Sequence, residues 1–329
     1  MNDITLRNAQ ILAENAKNAS RVFTLCGSLE SAAFASAMSD VNYDIDRAKA
    51  CKKLVSSKTG LFSALGASAT RIITTASVYK SNSPEKKIDN INAIYKIVKN
   101  KFWGNEYSAL AAIIIEDSGK DAELVVDEMS KIYKLMKKEH FFYSSSEDSA
   151  TYAIMALSGK SPEELTAEAQ NCYKILKPNF FDHNDLLTLC SLLAIYDEAC
   201  DLKCSKVLAI VDELKKRKLK LSGYSSVAIL APLVKAAMEK DASELAAEIA
   251  EVEKYLSSCK VFGGLSGVGK SLRTMFACGV VSNSIGNQAE SITNVVTASV
   301  TAIVTQEVVM AACICACIAS STAAATSTT

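Results

Sequence analysis

Ile94-Tyr95-Lys96-Ile97-Val98, Ile132-Tyr133-Lys134-Leu135-Met136 and Cys172-Tyr173-Lys174-Ile175-Leu176 are one phrase written three times. Each runs on into an aromatic pair: Phe102-Trp103, Phe141-Phe142 and Phe180-Phe181. Weaker echoes stand at Leu61-Phe62, Lys220-Leu221 and Val261-Phe262. The second members of these pairs are 41, 39, 39, 40 and 41 residues apart, which marks an internal repeat.

Each period reads as two helices. The first is short, apolar and rich in small residues, as in the runs from Ser108, Ser149 and Leu186. Apolar on nearly every side, it has to be covered on most of its circumference. The second is amphipathic: Leu165, Ala169, Cys172, Tyr173, Ile175 and Leu176 form a stripe at helical spacing, with Glu163, Glu168 and Lys174 outside it. Ser83-Pro84-Glu85 and Ser161-Pro162-Glu163 open two of these helices, serine as a cap and proline at the first position, where no hydrogen bond is lost. Ser161 and Glu164 have capping-box spacing. Gly60, Gly104, Gly159 and Gly223 fall near junctions, where a left-handed residue is often required.

The expected fold is all-α. Helical hairpins run at about 22–62, 63–103, 104–142, 143–181, 182–221 and 222–262, and a seventh begins near Val268. One hairpin cannot bury its own apolar helix, so neighbours must stack, with the aromatic pairs filling the seams. The stack ends as an open superhelix or closes into an α/α toroid. The divisions expected are an N-terminal helix over 1–21, the repeats over 22–285, a long apolar helix over 286–321 packed on them, and a disordered tail over 322–329.

The phrase Lys58-Thr59-Gly60-Leu61-Phe62-Ser63-Ala64-Leu65, the Ser-Pro helix that ends in Tyr173-Lys174-Ile175-Leu176-Lys177 and Phe180-Phe181, and the Ala/Ser-rich tail resemble an uncharacterised bacterial family catalogued as domain of unknown function 4003. The resemblance spans nearly the whole chain. It implies a fold and carries no catalytic residues with it.

Composition narrows the function classes. Of 329 residues 49% are apolar and 22% charged, enough for a continuous core. The 36 basic and 36 acidic residues cancel, so no bulk charge recruits nucleic acid or an anionic membrane. No signal-peptide apolar run lies between Met1 and Ser20. Eleven cysteines, with Cys26, Cys51, Cys172, Cys190, Cys259 and Cys278 set singly in apolar helical patterns, read as free thiols in a reducing, cytoplasmic setting.

Several features imitate chemistry. Gly264-Leu265-Ser266-Gly267-Val268-Gly269-Lys270-Ser271 matches a phosphate-binding loop, but such a loop needs a strand before it and a sheet around it. In repeat register it is the turn after Val261-Phe262, so Gly264, Gly269, Lys270 and Ser271 are read as a coincidental match. Lys270 nonetheless occupies the register of Thr70, Ala111, Ala150, Leu189 and Ile229: either the loop has slipped or a charge has entered a packed row.

His140 and His183 each flank an aromatic pair, and Asp182, His183 and Asp185 make an incomplete ligand set. Cys200 and Cys204 lie one helical turn apart with no second cysteine couple at zinc spacing, and Cys313, Cys315 and Cys317 alternate near the end, so no metal or cofactor site is assigned. Acids lead and bases follow along the amphipathic helices, as Glu123, Asp127 and Glu128 precede Lys131, Lys134, Lys137 and Lys138, which suits the helix dipole. The apolar run Ile292–Ser320 is interrupted by Gln306 and Glu307; an acid at mid-bilayer costs about 3 kcal/mol, so the run reads as a helix lying on the stack rather than across a membrane.

The function expected is a non-enzymatic protein-interaction or scaffold module with a protein partner. The alternative is an α/α-toroid enzyme whose central cavity is lined by Trp103, Glu116, Asp117, Glu147, Asp148 and Asp185.

Overall fold

A computed structural model describes residues 1–23, 27–39, 41–60, 63–139, 148–221, 226–264 and 267–286. Among these residues the chain forms fourteen α-helices and no strand. The amphipathic helices are α1 (Asp3–Ala19), α3 (Ile45–Lys58), α5 (Pro84–Lys101), α7 (Ala122–Glu139), α9 (Pro162–Leu176), α11 (Cys200–Lys216) and α13 (Ala242–Ser258). The apolar helices alternate with them: α2 (Ser28–Ala37), α4 (Ser68–Lys80), α6 (Glu106–Ser118), α8 (Ser149–Leu157), α10 (His183–Leu193), α12 (Leu230–Glu239) and α14 (Lys270–Gly286).

Burial follows this division. In α6 every residue from Ser108 to Ile115 is buried, and in α10 every residue from Asp185 to Leu193. In α5 only Ile88, Ile91, Ile94, Tyr95 and Val98 are buried, one stripe at helical spacing. The recurring phrase owes its pattern to this stripe. Its first and fifth residues (Ile94, Ile132, Cys172; Val98, Met136, Leu176) are buried, and the lysine at its third position is exposed each time.

Six amphipathic helices pack most closely on the apolar helix that follows, α1 on α2, α3 on α4, α5 on α6, α7 on α8, α9 on α10 and α13 on α14, while α11 packs more on α13 and α9 than on α12. The N-terminal helix is therefore not an appendage. It also touches α13 and α14, and Asn8 Nδ2 donates to Ser284 Oγ at 3.0 Å, Asn2 Nδ2 to Glu248 Oε1 at 3.3 Å, and the Met1 amino group pairs with Glu251. The first helix and the last described helix share an interface.

Successive amphipathic helices touch in the series α3, α5, α7, α9, α11 and α13. The end of one lies against the beginning of the next: Lys58 Nζ reaches Asp89 at 2.9 Å, Lys101 Nζ reaches Asp127 at 3.6 Å, and Arg217 donates to Ser243 O at 3.0 Å. Late bases and early acids thus pair across neighbours as well as suiting each helix's own dipole.

The aromatic pairs divide. Phe102 is buried, its ring 5.7 Å from Tyr133 and 6.5 Å from Tyr152, in the seam between adjacent hairpins. Trp103 is 81% exposed and Phe181 103%, so the expectation that both members fill the seam fails. The cause is local. Phe102 and Phe180 have extended backbones, and consecutive side chains of an extended segment point opposite ways. Phe262, the second of its pair, is the buried one, while Leu61-Phe62 and Phe141-Phe142 lie outside the described residues.

Punctuation is also uneven. Ser161 and Glu164 form the full capping box, whereas the Ser83 side chain makes no cap and Ser81 Oγ instead accepts from the Ser83 amide. Gly159 (φ +82°) takes the left-handed conformation expected of it, and so does Gly119 (φ +65°), where none was expected; Gly60 and Gly104 do not, and Gly223 lies outside the described residues. No described helix is long and apolar enough to cross a membrane. The helix expected over 286–321, from residue 287 on, and the tail lie outside the described residues.

Candidate functional site: a three-thiol cluster between two helices

α11 begins with Cys200, and Cys204 follows one turn later on the same face. Across from them α9 presents Cys172, the residue that replaces Ile94 and Ile132 in the recurring phrase. The three Sγ atoms all lie within 4.8 Å of one another. Cys172 Sγ and Cys200 Sγ are 3.2 Å apart, and Cys204 Sγ donates weakly to Cys172 O at 3.9 Å. Among the described residues this is the group of His, Cys, Asp or Glu side chains whose ligand atoms converge.

A buried cation stands beside it. Lys203 is fully buried, and its ammonium donates to Leu193 O and Tyr196 O, each at 3.0 Å, and pairs with Glu168 Oε1 at 2.6 Å. With three donors and three acceptors the group is satisfied, as a buried charge has to be. The segment between α10 and α11 is strapped from other sides too. Lys160 Nζ donates to Ala194 O and Tyr196 O at 3.3 and 2.9 Å, and Lys235 Nζ to Glu198 Oε1 at 2.7 Å. This bracing fixes the start of α11, whose cap residue Ala199 supplies no side-chain acceptor and whose first residue is Cys200.

The contact with Cys204, then burial, pushes the Cys172 thiol far up; burial, then the contact with Cys172, pushes Cys200 up to about 12. Burial and these two neighbours raise Cys190, on α10, well above its ordinary value. Thiols held neutral are poor nucleophiles, and each has to give up its proton before it can ligate a cation. Cys200 is half-buried and gives access from solvent.

Sequence reasoning found the Cys200/Cys204 couple and missed Cys172, because its partner is a lone cysteine 28 residues upstream. It missed Lys203 as well. A signal was there: Lys203, Val207, Ile210 and Leu214 form the buried stripe of α11, with a lysine in its first place.

The Gly264–Ser271 segment joins two helices, α13 and α14. A Cβ on Gly267 would lie 2.1 Å from Gly263 O, so close chain packing accounts for that glycine, while Gly264 takes a left-handed φ of +75° and Gly269 has open space beside it. Arg273 braces the turn by donating to Phe262 O at 3.1 Å and Val268 O at 2.7 Å, and Ser271 Oγ donates to Lys220 O at 3.2 Å. Lys270 is exposed and Val268 is buried, so the loop has slipped and no charge has entered the packed row.

Asp182 caps α10 through the Asn184 and Asp185 amides, and the His183 ring sits 6.1 Å from that of Tyr173. Glu116 and Asp117, at the end of α6, both pair with Lys87, at 3.7 and 2.7 Å. Asp148 and Asp185 stand at the opposite, leading ends of α8 and α10. His140 and Glu147 lie outside the described residues.

The fold and the site define an all-helical protein of alternating amphipathic and apolar helices with a buried thiol cluster. The family described as Protein of unknown function (DUF4003) matches residues 17–311, and the chain belongs to it. No curated protein and no solved structure matches the chain.

Proposed function

We propose that the chain is a non-enzymatic protein-interaction module, built as seven helical hairpins closed into an α/α toroid. The contact of α1 with α13 and α14 supports closure, since an open superhelix keeps its ends apart. The observation that carries the interaction reading is the exposure of Trp103 and Phe181 in equivalent turns, each leading from an amphipathic helix into the next apolar one. Large aromatic side chains held out in water on braced turns are the residues that anchor protein partners. The exposed Lys99, Lys101 and Lys177 beside them favour an acidic partner surface. A balanced net charge gives nucleic acid no long-range attraction, and the unpaired cysteines fit a cytoplasmic setting. The Gly264–Ser271 segment is then a turn between helices.

The toroid-enzyme reading ranks second, because its carboxylates divide between opposite helix ends. The test is capture from source cytoplasm on immobilised wild type beside a Trp103→Ser/Phe181→Ser double variant. A stoichiometric protein held by the first and lost by the second supports the module. Equal capture by both removes the aromatic surface, and a co-purifying small molecule moves the reading to the enzyme.

A further inference from the structure

We propose that Cys172, Cys200 and Cys204 form a binding site for a divalent thiophilic cation, with zinc as the probe. Three sulfurs that share a tetrahedral zinc at about 2.3 Å each stand about 3.8 Å apart. The observed cluster, all within 4.8 Å and with one pair at 3.2 Å, reaches that spacing by small side-chain rotations. Soft thiolates select zinc over magnesium or calcium.

Three further features prepare the site. Lys203, buried and next to Cys204 in sequence, brings an ammonium group, shared with Glu168, near three sulfurs that carry one negative charge more than the cation. The uncapped start of α11 adds the positive end of a helix dipole to Cys200. Half-buried Cys200 leaves a fourth coordination position within reach of water. On binding, each thiol loses its proton to the buffer as its sulfur bonds the cation, and no oxidant or reductant is consumed.

The experiment uses the full reduced chain, titrated with cobalt(II) alone and then with zinc alone. One equivalent of cobalt should give a thiolate-to-cobalt charge-transfer band that zinc abolishes. Cys172→Ala and Cys204→Ala should each lose the band and weaken zinc binding by at least about 100-fold, with unchanged far-ultraviolet circular dichroism. Cys259→Ala, and a chain with Cys313, Cys315 and Cys317 all changed to Ser, should keep it. Absence of the band in the reduced wild type overturns the proposal. So does its survival in a folded Cys172→Ala chain, or its loss only when the three C-terminal cysteines are changed.

Discussion

The first residue of the recurring phrase is Ile94 in α5, Ile132 in α7 and Cys172 in α9. All three are buried in the same stripe of the same kind of helix. Around Phe102 the seam is hydrocarbon and aromatic rings, Tyr133 and Tyr152 lying 5.9 Å apart. Around Cys172 it holds three thiols, and Lys203 and Glu168 pair nearby. The repeat geometry tolerates this exchange because burial constrains volume and polar satisfaction rather than identity. A seam that departs from its siblings while keeping its buried charge paired is where function has room to enter.

The largest expected effect comes from breaking the polar seam. Lys203→Met should cost about 3–5 kcal/mol in urea unfolding, since it strips Leu193 O, Tyr196 O and Glu168 of their shared donor. Phe102→Ala in the hydrocarbon seam should cost a similar amount, about 3–5 kcal/mol, by leaving a cavity. If Lys203→Met were neutral, the polar seam would be ornament on an apolar one.

Leu12→Ala in α1 should cost about 2–5 kcal/mol, as much as Leu110→Ala deep in α6, because both are buried to within 1%. A negligible cost for Leu12→Ala would reduce α1 to an appendage. Trp103→Ser and Phe181→Ser, outside both seams, should leave the unfolding midpoint within about 0.5 kcal/mol of wild type.

The smallest effect lies at the far end of α11. There Lys216, then Arg217, holds Glu213 well below the usual carboxylate range, at about 2. With the folded value depressed, this stabilisation is present above the unfolded carboxylate value and fades as pH falls toward about 2. Glu213→Gln should remove that part of the acid sensitivity, and added salt should shrink the difference. Buried Lys203, in the first turn of α11, and its partner Glu168 on α9 should respond less to salt.

What could be read from residues alone was the alternation of helices, since apolar spacing and Ser-Pro punctuation are local signals, as the capping box at Ser161 illustrates. Pairing across distance was harder. The strongest partner of every amphipathic helix but α11 is the apolar helix after it, which the aromatic anchors, placed between the two, concealed. Trp103 and Phe181 look like core by composition, and only the extended backbone at Phe102 and Phe180 turns them outward. The thiol site was illegible for a similar reason: Cys172 and Cys200 belong to different helices, and no short spacing records that they meet.

The interface between α1 and α14 bears on how the chain is made. Synthesis releases α1 first and its partners α13 and α14 last, so the buried face of Leu12 and Ala16 stays without them until nearly the whole described chain has left the ribosome. Neighbouring helices can associate as they emerge, but this final contact spans the full sequence and has to form late. A nascent chain stalled before residue 270 would expose an oily strip at its oldest end, the surface that holdase chaperones recognise.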